Sequence, residues 1–173
     1  MKLKTKKITL CAMMAALTVA FMFIGTLFPT GRMGFMALAS LFSVAVVTLY
    51  GYVPSLLVYV VSAILGFLLL PDKAPLAFYV LFFGFYPIIK SIAERFEKSA
   101  AAWLLKLVVF NASLTIMYIF TRELLMLSFL DKFADNILGI AIYIIFNIVF
   151  IVYDIGLSRL IGYYMTNIYN KIR

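Results

Sequence analysis

The 173-residue chain contains no histidine, one cysteine and seven acidic residues. Without histidine, most zinc sites and the Ser-His-Asp catalytic machinery are excluded. Cys11 has no second cysteine in the chain with which to form a disulfide bond. The sequence also lacks a Walker-type Gly-rich loop and a D-x-x-D acidic motif. These absences predict that the chain is not an enzyme and that it carries no cofactor and no metal site, and any ATP hydrolysis must come from another protein.

Apolar side chains are what the sequence has in excess. Hydrophobic residues make up 66% of the chain and charged residues 13%, whereas soluble proteins have about 45–50% and about 25%. A soluble domain of this size has too little core to bury so much apolar surface. The composition therefore excludes a soluble enzyme and a disordered chain, and it indicates that the solvent is lipid.

Six apolar runs are candidates for transmembrane spans, which need about 20 residues each, and the second of them is short. The first is longer than the apolar part of a secretory signal, about 7–15 residues, so we interpret it as a span. Pro87 should kink or end the fourth, because it has no N–H group to donate. We predict an all-α integral membrane protein with one domain over residues 1–173. The predicted spans are Ile8–Phe28, Phe35–Tyr50, Ser55–Leu70, a fourth from Ala74, Ala101–Phe120 and Asn136–Tyr164.

The basic residues distribute unevenly about these six spans. One side of the predicted membrane holds 11 basic residues, and the other side holds four, namely Arg32, Lys73, Arg122 and Lys132. Because basic residues mark the cytoplasmic side, the split predicts that both termini are cytoplasmic. The net charge of +8 is then a sign of membrane topology, and we expect no nucleic-acid partner.

Small residues recur on one face of the first span. Ala12, Ala16 and Ala20 are spaced by four residues, which places them on one side of a helix. Small residues let helix backbones approach closely in lipid. The strip predicts either packing against the chain's own helices or a docking face for another membrane protein.

The Lys-rich start, the six spans and the Ala12-Met-Met-Ala-Ala16 pattern resemble the substrate-binding S components of energy-coupling factor (ECF) transporters. The resemblance covers the whole chain in architecture and the first helix in motif. It implies that the alanine face docks onto a transmembrane coupling subunit, which is bound to two ATPase subunits. It also implies a vitamin or other small solute, bound from the outer side, and a multi-pass location in the cell membrane, of the bacterial inner-membrane type.

Polar residues form stripes at helical spacing on three spans. Polar groups are costly in hydrocarbon, so the stripes should face the bundle interior or a cavity. We expect the substrate-binding residues among them, with interhelical hydrogen bonding as the alternative. Asp154, near the cytoplasmic end, is interpreted as structural or as part of coupling. The stripes are Ser55, Tyr59, Ser62 and Gly66; Asn111, Thr115, Tyr118 and Arg122; and Asn136, Tyr143, Asn147 and Asp154, of which Asn111, Tyr118, Arg122, Tyr143 and Asn147 are the candidates.

Arg32 is a further candidate, in the first outer loop between Gly31 and Gly34. Its planar guanidinium suits a carboxylate or phosphate. In the resembled family this loop covers the substrate, so Arg32 would contact an anionic solute. The alternative is a contact with a lipid headgroup.

The segment after Pro87 is predicted to be the amphipathic end of the fourth helix, lying along the inner membrane surface. Lys90 and Glu94 form an i, i+4 pair in this segment. For the whole protein, the competing interpretation is a small membrane scaffold of the cell-shape type. A scaffold needs docking faces but no ligand pocket.

Overall fold

The structure is a computed structural model, and it describes residues 2–96, 99–125, 137–164 and 166. The described residues form helices and short connections, without a strand. Among these residues, six helical stretches are long and apolar enough to cross a membrane, in agreement with the six candidate spans that the sequence predicts. A 3₁₀ turn at Pro29–Gly31 precedes α2, and a π-helical segment at Tyr79–Phe83 follows α4. The helices are α1 (Lys2–Leu27), α2 (Arg32–Tyr50), α3 (Tyr52–Leu69), α4 (Ala74–Phe78), α5 (Tyr86–Ala93), α6 (Ser99–Leu125) and α7 (Ile137–Tyr164).

The chain divides into two compact units, residues 1–106 and 107–173. In the first unit α1, α2 and α3 pack against one another, and α2 also packs against α4, the π segment and α5. Its apolar core takes buried side chains from α1, α2, α4 and the π segment, and from Leu70 directly after α3. The buried core residues there are Val19, Met22, Met36, Ala39, Leu70, Leu76 and Tyr79.

The connection between α2 and α3 is a single residue, Gly51. Its φ of +86° and ψ of −176° lie in a region that is essentially restricted to glycine. The sequence predicts a longer break, from Gly51 to Pro54, but Pro54 lies in the first turn of α3. Proline fits there because the first N–H groups of a helix have no intrahelical partner.

The fourth span is interrupted in its middle. α4 runs into the π segment, and α5 begins at Tyr86 with Pro87 in its first turn. The expected interruption at Pro87 is thus present, and it is accommodated by ending one helical stretch and beginning the next. The five-residue π segment has no counterpart in the predictions.

The second unit comprises the end of α6 and all of α7 among the described residues. Phe110 and Phe150 stack face to face, with ring centroids 4.4 Å apart and an interplanar angle of 9°. Phe150 is 2% exposed and Leu157 3%. Large aliphatic side chains on other faces of α7 are exposed, as expected for a helix surrounded by lipid.

Candidate functional site

Arg32 forms an ion pair with Asp72. Its Nη2 lies 2.5 Å from Asp72 Oδ2, and about a third of each side chain is exposed, 30% and 35%. Arg32 is the first residue of α2, whereas Asp72 lies between α3 and α4. Asp72 is fixed from its other side, since its Oδ1 accepts a hydrogen bond from the Ala74 N–H at 2.9 Å. The pair therefore joins the start of α2 to the connection between α3 and α4.

The Arg32 guanidinium keeps donors that Asp72 does not use. Its Nε is buried and has no hydrogen-bond partner among the residues that the structure describes. Arginine carries five N–H donors in a planar fork. Arg32 is thus held in place by a carboxylate while part of its fork remains unbonded, although the carboxylate also neutralises its charge.

Lys73, in the same connection, is engaged differently. Its ammonium donates to the carbonyl oxygens of Phe67 and Leu70, each at 2.6 Å, and lies over the Phe67 ring. These carbonyls belong to the end of α3, where a cation is favourable. Lys73 therefore caps a helix and does not extend a cationic site around Arg32.

Asn111 of α6 and Asn147 of α7 are hydrogen-bonded to each other. Each Nδ2 donates to the partner's Oδ1 at 3.1 Å. Each also donates to the carbonyl four residues earlier, Leu107 at 2.8 Å and Tyr143 at 3.0 Å. Both N–H donors of each amide are thus used within the second unit.

This arrangement brings two predicted site residues together, and it matches the alternative of interhelical hydrogen bonding. Tyr118 is half-buried on α6, and Tyr143 is 41% exposed on α7. Arg122 lies in the last turns of α6, and its side chain is outside the described residues. Arg32 belongs to the first unit and the other five candidates to the second.

The third predicted stripe, on α3, is used inside the first unit. Ser55 Oγ donates to the Ser43 carbonyl at 3.0 Å, and Ser62 Oγ donates to the Ala15 carbonyl at 3.4 Å. Tyr59 Oη donates to the Val80 carbonyl at 3.1 Å. These bonds join α3 to α2, to α1 and to the π segment.

The three alanines of the predicted docking strip are exposed. Ala12, Ala16 and Ala20 lie on the surface of α1. Two other small residues of the same helix, Ala15 and Thr18, are 3% and 0% exposed. Helix α1 thus has one small-residue face packed in the first unit and a second that its own unit leaves uncovered.

Two buried lysines were not anticipated. Lys90 is 1% exposed and Lys106 is 5% exposed. Glu94 Oε1 lies 2.9 Å from the Lys90 ammonium and 3.7 Å from that of Lys106. The i, i+4 pair is confirmed, but Lys90 does not lie on an exposed polar face of an interfacial helix. A buried ammonium requires such a carboxylate to offset its desolvation.

Asp154 of α7 is 1% exposed. The backbone carbonyl of Asp154 accepts a hydrogen bond from Ser158 Oγ at 3.1 Å. Its burial agrees with a structural role, and the interpretation as part of coupling stays a prediction.

Ser43 and Tyr79 were also missed, because neither belongs to a polar stripe that stands out in the sequence. Both are 0% exposed in the first unit.

The described residues contain no group of three His, Cys, Asp or Glu side chains that is placed to hold a metal ion. Chemically, the arranged groups offer hydrogen bonds and one partly bonded guanidinium, which suit binding.

Comparison of the chain with models of protein families, with curated proteins and with solved structures gives no match.

Proposed function

We propose that the chain is the substrate-specific binding subunit of an ECF-type ATP-driven importer, which takes up a vitamin or other small solute from the outer side. The observation that carries this proposal is the exposed strip of Ala12, Ala16 and Ala20 on α1. A binding subunit of this kind has to dock onto a transmembrane coupling subunit, and the strip offers the surface for it.

Helix packing in lipid gives the physical reason. Lipid chains are as apolar as aliphatic side chains, so helices associate through close van der Waals contact rather than through hydrophobic burial. Alanine allows such contact because it has no bulk beyond Cβ. Elsewhere α1 is lined by large exposed side chains, among them Ile8, Met13 and Leu17, which are 70%, 60% and 40% exposed. The alanine strip is therefore the part of this helix surface best suited to a second helix.

The proposed solute site includes Arg32. The Asp72 carboxylate holds the guanidinium at the start of α2, and the exposed part of the Arg32 side chain, 30%, is what a solute can reach. An anionic solute would compete with Asp72 for the fork, whereas a neutral or zwitterionic solute can bind beside the pair. In the second unit, the candidates for contact with a solute are Asn111, Tyr118, Arg122, Tyr143 and Asn147.

The docking step is tested with Ala12→Leu and Ala16→Leu. The protein is co-expressed with an ECF coupling subunit and its two ATPases, and their capture by the tagged protein is measured together with solute uptake. We expect both to fall, because leucine separates the backbones. Binding of a solute retained through purification should persist in the isolated variants.

Ala112→Leu is the matched control, since Ala112 is an exposed alanine on α6. It should leave capture and uptake unchanged. If the Ala12 and Ala16 variants capture the partners as well as the parent does, the strip is not the docking face. Loss of solute binding together with a lowered melting temperature would instead show that the strip serves internal packing.

A membrane scaffold without a ligand pocket is the second candidate. The mutual hydrogen bonds of Asn111 and Asn147 favour it, because the two amides need no solute to satisfy their donors. The scaffold interpretation is favoured if Arg32→Ala, Tyr118→Phe and Asn147→Ala all bind a co-purified solute as the parent does. It is also favoured if no solute is retained at all.

A further inference from the structure

Two hydroxyl groups in the interior of the first unit have no hydrogen-bond partner in the part of the chain that the structure describes. They are Ser43 Oγ on α2 and Tyr79 Oη on the π segment. Both residues are 0% exposed. The side chains of Ser43 and Ser62 come within hydrogen-bonding range of the Tyr79 hydroxyl, but neither Tyr79 Oη nor Ser43 Oγ makes a hydrogen bond of good geometry to any described residue.

Such a pair of groups is unusual inside a membrane protein. A buried hydroxyl without a partner costs free energy, and nearly all buried polar groups therefore find one in the protein or in ordered water. The other buried hydroxyls nearby follow this rule. Ser55 and Ser62 donate to backbone carbonyls of α2 and α1, and Thr18 donates to the Met14 carbonyl at 2.8 Å.

The backbone beside Tyr79 is irregular in a way that fits an inserted group. A π segment widens the helical turn and changes which carbonyls are paired within the helix. In membrane helices, ordered waters and neighbouring side chains satisfy the groups that such adjustments free. One example is already in place, since Tyr59 Oη donates to the carbonyl of Val80.

Close packing around this point limits what fits. A Cβ atom at Gly84, directly after the π segment, would lie 2.5 Å from the Tyr59 ring and 2.8 Å from the Tyr79 ring. Both rings therefore occupy the space over Gly84, with centroids 6.0 Å apart. Since Ser43 and Tyr79 are fully enclosed, a ligand at their hydroxyls is of the size of a water molecule.

We propose that one water molecule binds between α2 and the π segment, hydrogen-bonded to Ser43 Oγ and Tyr79 Oη, with Ser62 Oγ as a third partner. Buried waters typically make about three hydrogen bonds, and each hydroxyl can donate as well as accept. A metal cation fits less well, because the three hydroxyls are neutral and a charge at this depth requires an ionised partner. This inference is independent of the transport function.

The experiment is an experimental structure of the parent and of Tyr79→Phe in lipid, at a resolution that shows ordered water. We expect a peak within hydrogen-bonding distance of both oxygens in the parent and no peak in the variant. A direct hydrogen bond between Ser43 and Tyr79 with nothing between them overturns the proposal. So does a peak whose coordination and dependence on sodium concentration identify a cation.

Thermal unfolding gives a second measurement. Ser43→Ala and Tyr79→Phe should each lower the melting temperature by several degrees, because each leaves the water and the other hydroxyl short of a partner. The double variant should lose less than the two single losses added together, since both act on one network. Ala112→Leu, at an exposed position of α6, is the control for substitution in general. Unchanged melting temperatures in both single variants would show that the hydroxyls are unbridged and would overturn the proposal.

Discussion

The amide pair between α6 and α7 makes a quantitative prediction for Asn147→Leu. The substitution removes two side-chain hydrogen bonds to Asn111, both of 3.1 Å. Interhelical hydrogen bonds in membrane proteins contribute about 0.6 kcal/mol each on average. The pair should therefore contribute about 1.2 kcal/mol of coupling energy, since it contains two such bonds.

The single substitution should cost more than this coupling energy. It leaves the Asn111 amide with an unused donor and acceptor, and an unsatisfied buried group costs about 1–3 kcal/mol. Replacing both asparagines by leucine should cost less than the sum of the single losses, because no amide is then left without a partner. The coupling energy between the two residues should therefore be favourable, because each amide donates a hydrogen bond to the other.

The assay is a double-mutant cycle with Asn111→Leu, Asn147→Leu and the double variant. Free energies of unfolding are measured by denaturing-detergent titration in mixed micelles. Thr115→Val is the matched control, because Thr115 Oγ1 donates to the Asn111 carbonyl within α6, at 2.8 Å, and does not bond α7. A coupling energy near zero would refute the reasoning. Weaker solute binding with unchanged stability would assign the amides to the ligand site instead.

Two further predictions concern the membrane topology and the ion pair. In a background without Cys11, a cysteine at position 73 should be labelled by an impermeant reagent added outside intact cells. A cysteine at position 98, which lies outside the described residues, should not be labelled. Labelling at position 98 would contradict the six-span orientation. Asp72→Asn frees the Arg32 fork and should strengthen binding of an anionic solute, while Arg32→Ala should abolish that gain. Because the pair is about one-third exposed, Asp72→Asn should change the free energy of unfolding by less than about 1 kcal/mol. Equal binding by the parent and Asp72→Asn would show that Arg32 does not contact an anion.

The number of spans was predictable because each is a long apolar run between turn residues or charges. The limits of the spans were less so. Gly51 alone reverses the chain, and the sequence cannot distinguish this from a loop that extends to Pro54, since proline is acceptable both in a loop and in a first helical turn. The π segment leaves no periodic signal, because its residues Tyr79–Phe83 are all apolar or aromatic.

Helical spacing predicted the helix face on which Asn111 and Asn147 each lie, but it did not predict that the two residues face each other. Their pairing depends on the relative rotation and height of two helices, which the packing of large side chains such as Phe110 and Phe150 determines. The partner of Arg32 was within reach of sequence reasoning, because the predicted topology puts Asp72 at the same membrane surface. Ser43 was not, since a lone serine in an apolar span has no visible partner in the sequence.

The one-residue connection at Gly51 has a consequence for the way the chain enters the bilayer. Helices α2 and α3 together span 37 residues, 19 and 18, and the backbone reverses between them within a single peptide unit. In a membrane, neither helix could insert while the other stayed in water, because a link of one residue cannot separate them. As membrane spans, the two would therefore partition as one hairpin, with the closure entropy of the loop kept small by its shortness. An epitope or protease site inserted after Gly51 would lengthen this link and uncouple the insertion of α2 from that of α3, at a closure cost of only about 0.6 kcal/mol per doubling of loop length.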